Sequence, residues 1–214
     1  MRRLAVVVVG SLLCLLGAAA HAEIEAKAPA SPAVQTPTQV VEELHAALLQ
    51  MMKDSDGMSF DQRVEFLTPK MNEAFDMGFM SSKSVGRQWK ALSGDQQRVW
   101  REKFERLTVS NYAGRFVGYT GERFETIGNE PAARDTIMVL TRVEVPNDED
   151  VDLNYRLRET PEGWRIIDIY LKGTVSELAL RRSEYSSTLK RDGFEKLASA
   201  IDEKIAELRE DQDS

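Results

Sequence analysis

The sequence offers few side chains that could perform catalysis or hold a metal ion. It contains one cysteine, Cys14, and two histidines, His21 and His45. Cys14 and His21 fall in an N-terminal segment that we interpret below as a cleaved signal peptide, so His45 remains. A serine triad needs a histidine beside its nucleophile, and zinc sites are built from several Cys or His ligands. We therefore assign no catalytic residue, no metal ligand and no cofactor.

Two acidic clusters are typical of turns. The segment from Asp54 to Gly57 has the first residues of a calcium-binding loop but lacks its later ligands and closing glutamate. Asp148, Glu149 and Asp150 follow Pro146 in a predicted hairpin. A pair of carboxylates could support acid–base catalysis. No motif marks such a pair here, so an enzyme stays only an alternative.

The segment from Trp164 to Leu197 combines unusual residues. A predicted strand with Asp168 among isoleucines ends at Gly173, and the helix that follows carries Arg181 and Arg182. A carboxylate within a strand of β-branched residues is unexpected on propensity alone. We expect Asp168 to pair with Arg181 or Arg182 and so to hold the last strand against the next helix; contact with a ligand is the alternative.

Length and charge restrict the class of protein. A chain of 214 residues suits one domain. Its formal net charge of −7 argues against a nucleic-acid partner, because such proteins need a basic surface to displace counterions from phosphates. A local basic patch remains compatible with this total.

The N-terminus has the three parts of a secretory signal peptide. Arg2 and Arg3 precede the apolar run Leu4–Leu16, and Ala20-His21-Ala22 forms a small-residue cleavage site. The run is too short for a typical membrane span. We predict a signal peptide at 1–22, a flexible leader rich in Ala and Pro at 23–37, a single domain at 38–214, and export to a Gram-negative periplasm.

Helical periodicity and capping signals predict helices in the first half of the domain. A capping box at Ser59 begins the second helix, which we expect to end near Leu67 because Pro69 disfavours helical geometry at the preceding residue. The other helices are predicted from about Thr38, at Pro69–Asp76, at Ser82–Leu92 and from Ser93 to about Phe116.

The pattern then changes to a period of two residues, which is typical of half-buried strands. Strands are predicted at Arg123–Ile127, Thr136–Val145, Val151–Arg158 and Trp164–Leu171, and helices at Val175–Arg191 and Phe194–Leu208. This order predicts an α+β fold in which helices cover one face of a curved, four-stranded antiparallel sheet. Arg156 and Arg158 alternate with apolar residues, so we expect them on a solvated or docking face.

Aromatic and methionine residues are concentrated between Phe75 and Tyr119. Flexible methionines beside aromatic rings suit an adaptable apolar cavity. An ordinary hydrophobic core would have the same composition, and the pattern alone leaves both open.

Three segments, in order along the chain, carry a family resemblance. Phe75–Trp89 contains an aromatic-rich run before Gly-x-x-Trp, Val109–Tyr119 contains a Tyr-Ala pair, and Trp164–Leu189 contains Trp, Asp, Gly, Ser and Arg-Ser-Glu-aromatic in succession. Together they resemble the MlaC family, the toluene-tolerance auxiliary proteins that carry lipid through the periplasm. The phrase SELALRRSEY, Ser176–Tyr185, resembles the hopanoid-biosynthesis-associated (HpnM-like) members.

The resemblance implies a nuclear-transport-factor-like fold that binds a phospholipid or hopanoid in an apolar cavity between sheet and helices. It implies an inner-membrane ABC-type lipid transporter and an outer-membrane lipoprotein as partners. We expect the cavity to be lined by Phe75, Phe79, Trp89, Tyr112, Phe116, Val139, Tyr155 and Ile167. We expect Trp164, Asp168, Gly173, Arg181 and Arg182 to support its wall, with contact between Asp168 and a headgroup as the alternative.

Two other functions stay open. A non-catalytic adaptor would have a cavity filled by its own side chains, whereas an enzyme on the same fold would need a polar pair deep in that cavity. A continuous apolar cavity favours the carrier.

Overall fold

The computed structural model describes residues 35–213. The predicted signal peptide and residues 23–34 of the predicted leader lie outside these residues. This part of the chain contains five α-helices: α1 (Pro37–Asp54), α2 (Phe60–Ala74), α3 (Met77–Ser84), α4 (Gly94–Arg115) and α5 (Glu177–Asp213), with short 3-10 helices at Ser55–Gly57 and Gly86–Ala91. Within residues 35–213, no helix is long and apolar enough to cross a membrane.

Capping boxes begin three of the helices. Thr36, Ser59 and Ser93 each accept a hydrogen bond from the backbone three residues later, and the glutamine at that position bonds back to the cap. Each box satisfies backbone groups that a helix start leaves without partners. The capping box predicted at Ser59 is confirmed. Helix α1 begins at Pro37, the last residue of the predicted leader.

The predicted end of the second helix near Leu67 is wrong, as is a separate helix at Pro69–Asp76. Helix α2 continues through Pro69 to Ala74. Proline removes one helical hydrogen bond. Leu67 and Met71 are both fully buried on either side of Pro69, and this packing maintains the helix across it.

The predicted helix Ser82–Leu92 is also wrong. Helix α3 ends at Ser84, and the chain continues as the 3-10 helix that begins at Gly86, which has a φ of 60°. A left-handed residue interrupts α-helical geometry, and glycine adopts it without a Cβ clash. Near the C-terminus, the break predicted at Gly193 is confirmed, since that residue has φ 85° within α5.

The antiparallel sheet contains β1 (Arg123–Ala132), β2 (Thr136–Glu144), β3 (Val151–Thr160), β4 (Gly163–Leu171) and β5 (Val175–Ser176), paired in chain order. The predicted α+β class with an antiparallel sheet is confirmed. The sheet has five strands where four were predicted, because the first residues of the expected helix at Val175 pair with β4. Lys172 and Gly173 both have positive φ angles, which form the tight turn between β4 and β5.

The two faces of the sheet have different surroundings. On β3, Leu153, Tyr155 and Leu157 are buried in the hydrophobic core, where α1 packs against the sheet and α2, α4 and α5 complete the enclosure. Arg156 and Arg158 project from alternate positions and are half-buried. Alternation along the strand therefore separates an apolar face from a polar one.

Candidate functional site

A cavity of about 990 Å³ lies on the polar side of the sheet. Its walls come from α3 and the 3-10 helix after it, from β2, β3 and β4, and from the first turns of α5. Phe79, Ile167 and Leu178 supply apolar lining. We call this space the large cavity; its volume is at the upper end of the range of about 300–1,000 Å³ found for ligand pockets.

A β-bulge brings two consecutive residues to this cavity. The register between β3 and β4 pairs Arg156 with Asp168 but Leu157 with Ile166, which leaves Ile167 as the extra residue. Ile167 and Asp168 both line the large cavity. Bulges commonly redirect side chains in this way at functional sites.

The carboxylate of Asp168 binds neutral donors. It accepts hydrogen bonds from the Ser176 hydroxyl at 2.6 Å and from the backbone amides of Leu178 at 3.1 Å and Ile169 at 2.8 Å. The Ser176 hydroxyl in turn accepts from the amide of Ala179 at 3.0 Å. Asp168 and Ser176 thus cap the start of α5, where a negative charge is favourable.

Asp168 therefore holds the last long strand to the following helix, but the expected arginine pairing is not what achieves this. Arg181 pairs with Glu184 at 3.6 Å. Arg182 lies beside Gly86, so a Cβ at position 86 would come within 3.0 Å of its Nε. The cap satisfies the carboxylate with donors nearby in sequence, so neither arginine is needed.

A second, smaller cavity of about 90 Å³ lies on the core side of the sheet. We call it the small cavity. Tyr112 of α4 and Phe116, the residue that follows this helix, line it together with apolar residues of the sheet and α5, and Arg181 also lines it. Leu178 lines both the small and the large cavity, which makes it the side chain between them.

The residues predicted to line one cavity are distributed over several environments. Phe79 and Ile167 line the large cavity, and Tyr112 and Phe116 the small one. Phe75 borders a third, shallow pocket but is itself 2% exposed.

The other three predicted lining residues line none of these cavities. Val139 and Tyr155 are fully buried in the core face of the sheet. Trp89 packs half-buried against the core, with the guanidinium of Arg101 over its ring at 5.8 Å. Trp164, assigned to the wall, also packs against the core.

Sequence reasoning missed several residues of the large cavity. Leu178 was not singled out, although it separates the two cavities, and neither were Thr136 and Arg134 at the hairpin between β1 and β2. Alternation did mark Arg156 and Arg158, but it could not indicate that α3 and α5 enclose their side of the sheet.

His45 and Tyr155 form a buried polar pair on the core face. The Nε2 of His45 lies 3.0 Å from the hydroxyl of Tyr155, and the imidazole stacks on Phe124 at 4.1 Å. Burial lowers the pKa of His45 to about 3, so the ring is neutral at ordinary pH. Burial also raises the pKa of Tyr155 well above its usual value. This pair borders none of the three cavities, so it satisfies the core and does not face a substrate.

No group of three or more potential metal ligands occurs among residues 35–213.

Comparison with known families identifies the chain. A model described as MlaC protein matches residues 41–203, which include all three segments that carried the resemblance. The chain belongs to the MlaC family. This is a family of periplasmic lipid-binding carriers without enzymatic activity, so the expectation that the chain is not an enzyme is confirmed at the level of the family.

A solved structure supports the fold. The chain is similar to a phospholipid-binding protein from Ralstonia solanacearum that was solved in complex with a phospholipid, with a TM-score of 0.68 and 24% sequence identity. The match covers 80% of this chain and 95% of that one. At this identity the likeness shows a shared fold. No curated protein matches the chain.

Proposed function

We propose that this MlaC-family chain is exported by its N-terminal signal peptide and carries a phospholipid or hopanoid-type lipid across the periplasm. One observation supports this most: a large, partly apolar cavity meets an apolar interior at Leu178. The similar protein from Ralstonia solanacearum, which was solved with a phospholipid, supports the same ligand class.

The two cavities suit the two ends of such a lipid. Acyl chains would lie against Phe79, Ile167 and Leu178 and pass Leu178 into the small cavity, while the headgroup would remain in the polar part of the large cavity. The small cavity holds only about 90 Å³, so it must widen to accept a chain. Met80 lines it, and unbranched methionine side chains adapt readily to such changes.

Burial of the acyl chains supplies enough free energy for the lipid to bind. Each buried methylene contributes about 0.8 kcal/mol, so about thirty methylenes in the two chains contribute about 24 kcal/mol. That sum exceeds the cost of association, about 4–15 kcal/mol. Release is then the difficult step, and it requires a membrane partner that reshapes the cavity or competes for the lipid. An inner-membrane ABC-type transporter and an outer-membrane lipoprotein are the partners that we propose.

The hopanoid-associated branch is the finer proposal. It rests on the phrase Ser176–Tyr185, which contributes Leu178 to both cavities and Arg182 to the large one. A rigid polycyclic ligand would use the apolar lining without the flexibility of acyl chains.

Lipid recovery tests this function. The protein is purified from the periplasm of an expressing Gram-negative host, extracted with organic solvent, and its lipid content is measured by mass spectrometry. We expect stoichiometric lipid on the wild-type chain. Leu178→Gln places an unpaired amide against the acyl path, so its retained lipid should fall about tenfold.

Leu180→Gln is the matched control. Leu180 is two residues away on the same helix, is 53% exposed and lines neither cavity, so its substitution should leave lipid content unchanged. Circular dichroism checks that both variants fold. Absence of lipid from the wild type, together with no uptake from vesicles, would reject lipid carriage. Equal loading of the two variants would reject the path past Leu178.

A further inference from the structure

We propose that the basic wall of the large cavity is a binding site for a phosphate group, supplied by the headgroup of an anionic lipid. This inference rests on the proposed lipid carriage and adds a headgroup preference to it. The basic wall consists of Lys83, Arg87, Arg134, Arg156, Arg158 and Arg182.

The charges of this wall are poorly compensated. Asp168 is the one carboxylate among the residues lining the cavity, and its oxygens already accept from Ser176 and two backbone amides. Arg158 pairs with Asp76. Within residues 35–213, the other five basic side chains have no carboxylate within ion-pair distance. Such a cluster is unexpected in a chain with a net charge of −7.

Arg156 is held in place by neutral acceptors. Its Nε donates to the Thr136 hydroxyl at 2.8 Å, and its Nη2 donates to the carbonyl of Ala133. Thr136 itself donates to that carbonyl at 2.8 Å, which fixes the acceptor. Although Arg156 stands opposite Asp168 in the strand register, its guanidinium binds these neutral oxygens instead. A fixed, uncompensated guanidinium is preorganised for an anion.

Other basic side chains lie close to the apolar lining. The ammonium of Lys83 lies 5.1 Å from the centre of the Phe79 ring, and the guanidinium of Arg158 lies 4.5 Å from it. Cations stacked on an aromatic ring place positive charge directly beside apolar surface. This arrangement matches an amphiphile whose charged group is attached to an apolar chain.

Gly86 makes room for one more guanidinium. A Cβ at this position would lie 3.0 Å from the Nε of Arg182 and 3.3 Å from the Ser186 hydroxyl. Arg182 and Ser186 of α5 therefore lie directly against the backbone at Gly86, where the 3-10 helix packs on α5.

Phosphate is the anion that this chemistry favours. Guanidinium groups bind phosphate oxygens through paired, charge-assisted hydrogen bonds, and a concave site of one sign strengthens the field acting on an anion. A zwitterionic headgroup brings its own ammonium group into the same field and gains less. Inorganic phosphate has the same binding chemistry as the headgroup, so the experiment must separate the two sources.

Competitive lipid uptake tests the headgroup preference. Delipidated protein is incubated at low salt with vesicles containing equal amounts of dioleoyl phosphatidylglycerol, dioleoyl phosphatidylcholine and diolein. Bound lipids are then measured by mass spectrometry. We expect phosphatidylglycerol to exceed phosphatidylcholine on the wild type by about fivefold. Salt should reduce this ratio because it screens the interaction.

Single arginine variants locate the site. Arg156→Gln and Arg182→Gln should bring the ratio close to equality, mainly through loss of bound phosphatidylglycerol. Arg142→Gln is the charge-matched control, because Arg142 pairs with Asp152 at 3.0 Å on the sheet and does not line the large cavity. Arg182 is exposed, so its substitution leaves the core intact even if Arg156→Gln disturbs folding.

Inorganic phosphate forms the second arm, read as a shift in melting temperature. A preference for phosphatidylglycerol that Arg142→Gln retains and Arg182→Gln loses supports the headgroup site. A phosphate-induced rise in melting temperature that Arg182→Gln abolishes, without a lipid preference, assigns the site to free phosphate and rejects the headgroup. Lipid uptake without preference and without a phosphate effect rejects the inference but leaves lipid carriage intact. No lipid uptake rejects carriage, and the phosphate arm then decides whether the anion site exists.

Discussion

Tyr155 and Arg156 are neighbours on β3, yet they face opposite environments. Tyr155 is fully buried, and its hydroxyl bonds to His45 in the core. Arg156 points to the other side of the sheet, where it lines an open cavity and bonds to the neutral oxygens of Thr136 and Ala133. The face richest in aromatic residues is thus the filled one, and the face with arginines carries most of the open volume. In a lipid carrier built this way, one residue of the strand stabilises the core and the next residue contacts the headgroup.

Substitution of these two neighbours should produce the largest difference. Tyr155→Ala removes a buried ring and leaves the His45 nitrogen without its partner, so the free energy of unfolding should fall by about 3–5 kcal/mol. Arg156→Ala should lower it by less than about 1 kcal/mol, because the side chain is half-buried and its bonds are to neutral oxygens. Urea unfolding measures both. Equal losses would show that the two faces are not distinct in stability.

Acidification should weaken the core face selectively. The pKa of His45 falls from 6.5 to about 3 on folding because of burial. The unfolded chain therefore binds a proton that the folded chain does not. The free energy of unfolding therefore carries no penalty from His45 above pH 6.5, and it decreases as the pH falls from there towards 3. Between pH 7 and pH 5 this amounts to about 2 kcal/mol.

His45→Gln provides the comparison for this effect, since an amide can bond to Tyr155 without titrating. The loss of unfolding free energy between pH 7 and pH 5 should be smaller in the variant than in the wild type by about that amount. Parallel pH profiles would show that His45 is not the titrating group.

The smallest effect should occur at the capped helix on the cavity side. Asp168→Asn removes one of the carboxylate oxygens that hold Ser176 and the start of α5, so unfolding free energy should fall by about 1 kcal/mol. Arg181→Gln and Arg182→Gln should each change it by less than about 0.5 kcal/mol. Thermal unfolding distinguishes these cases. If either arginine variant lost as much unfolding free energy as Asp168→Asn, the result would support pairing of Asp168 with that arginine.

Local signals in the sequence predicted much of this architecture. The capping box at Ser59, the change from helical to strand periodicity, and the break at Gly193 each depend on residues within a few positions of one another. Pro69 misled the prediction because burial of Leu67 and Met71, which depends on tertiary packing, maintains the helix through it.

The candidate site was less predictable because it depends on which elements meet. Tyr155 and Val139 are residue types that often line cavities, but both lie in the closed core. Leu178 looks like any apolar residue in the first turn of a helix, and only the packing of α5 places it between two cavities. Asp168 was correctly singled out as unusual, while its partner, Ser176, lies eight residues away across a tight turn.

Photo-cross-linking of a bound lipid tests the central claim most directly. The wild-type protein is loaded with a phospholipid that carries a diazirine at the end of one acyl chain, irradiated, digested and mapped by mass spectrometry. The account predicts adducts on residues of the small cavity, foremost Met80, Tyr112 and Phe116, and their loss in Leu178→Gln. Adducts confined to exposed residues such as Ile127, or unchanged labelling in Leu178→Gln, would contradict it.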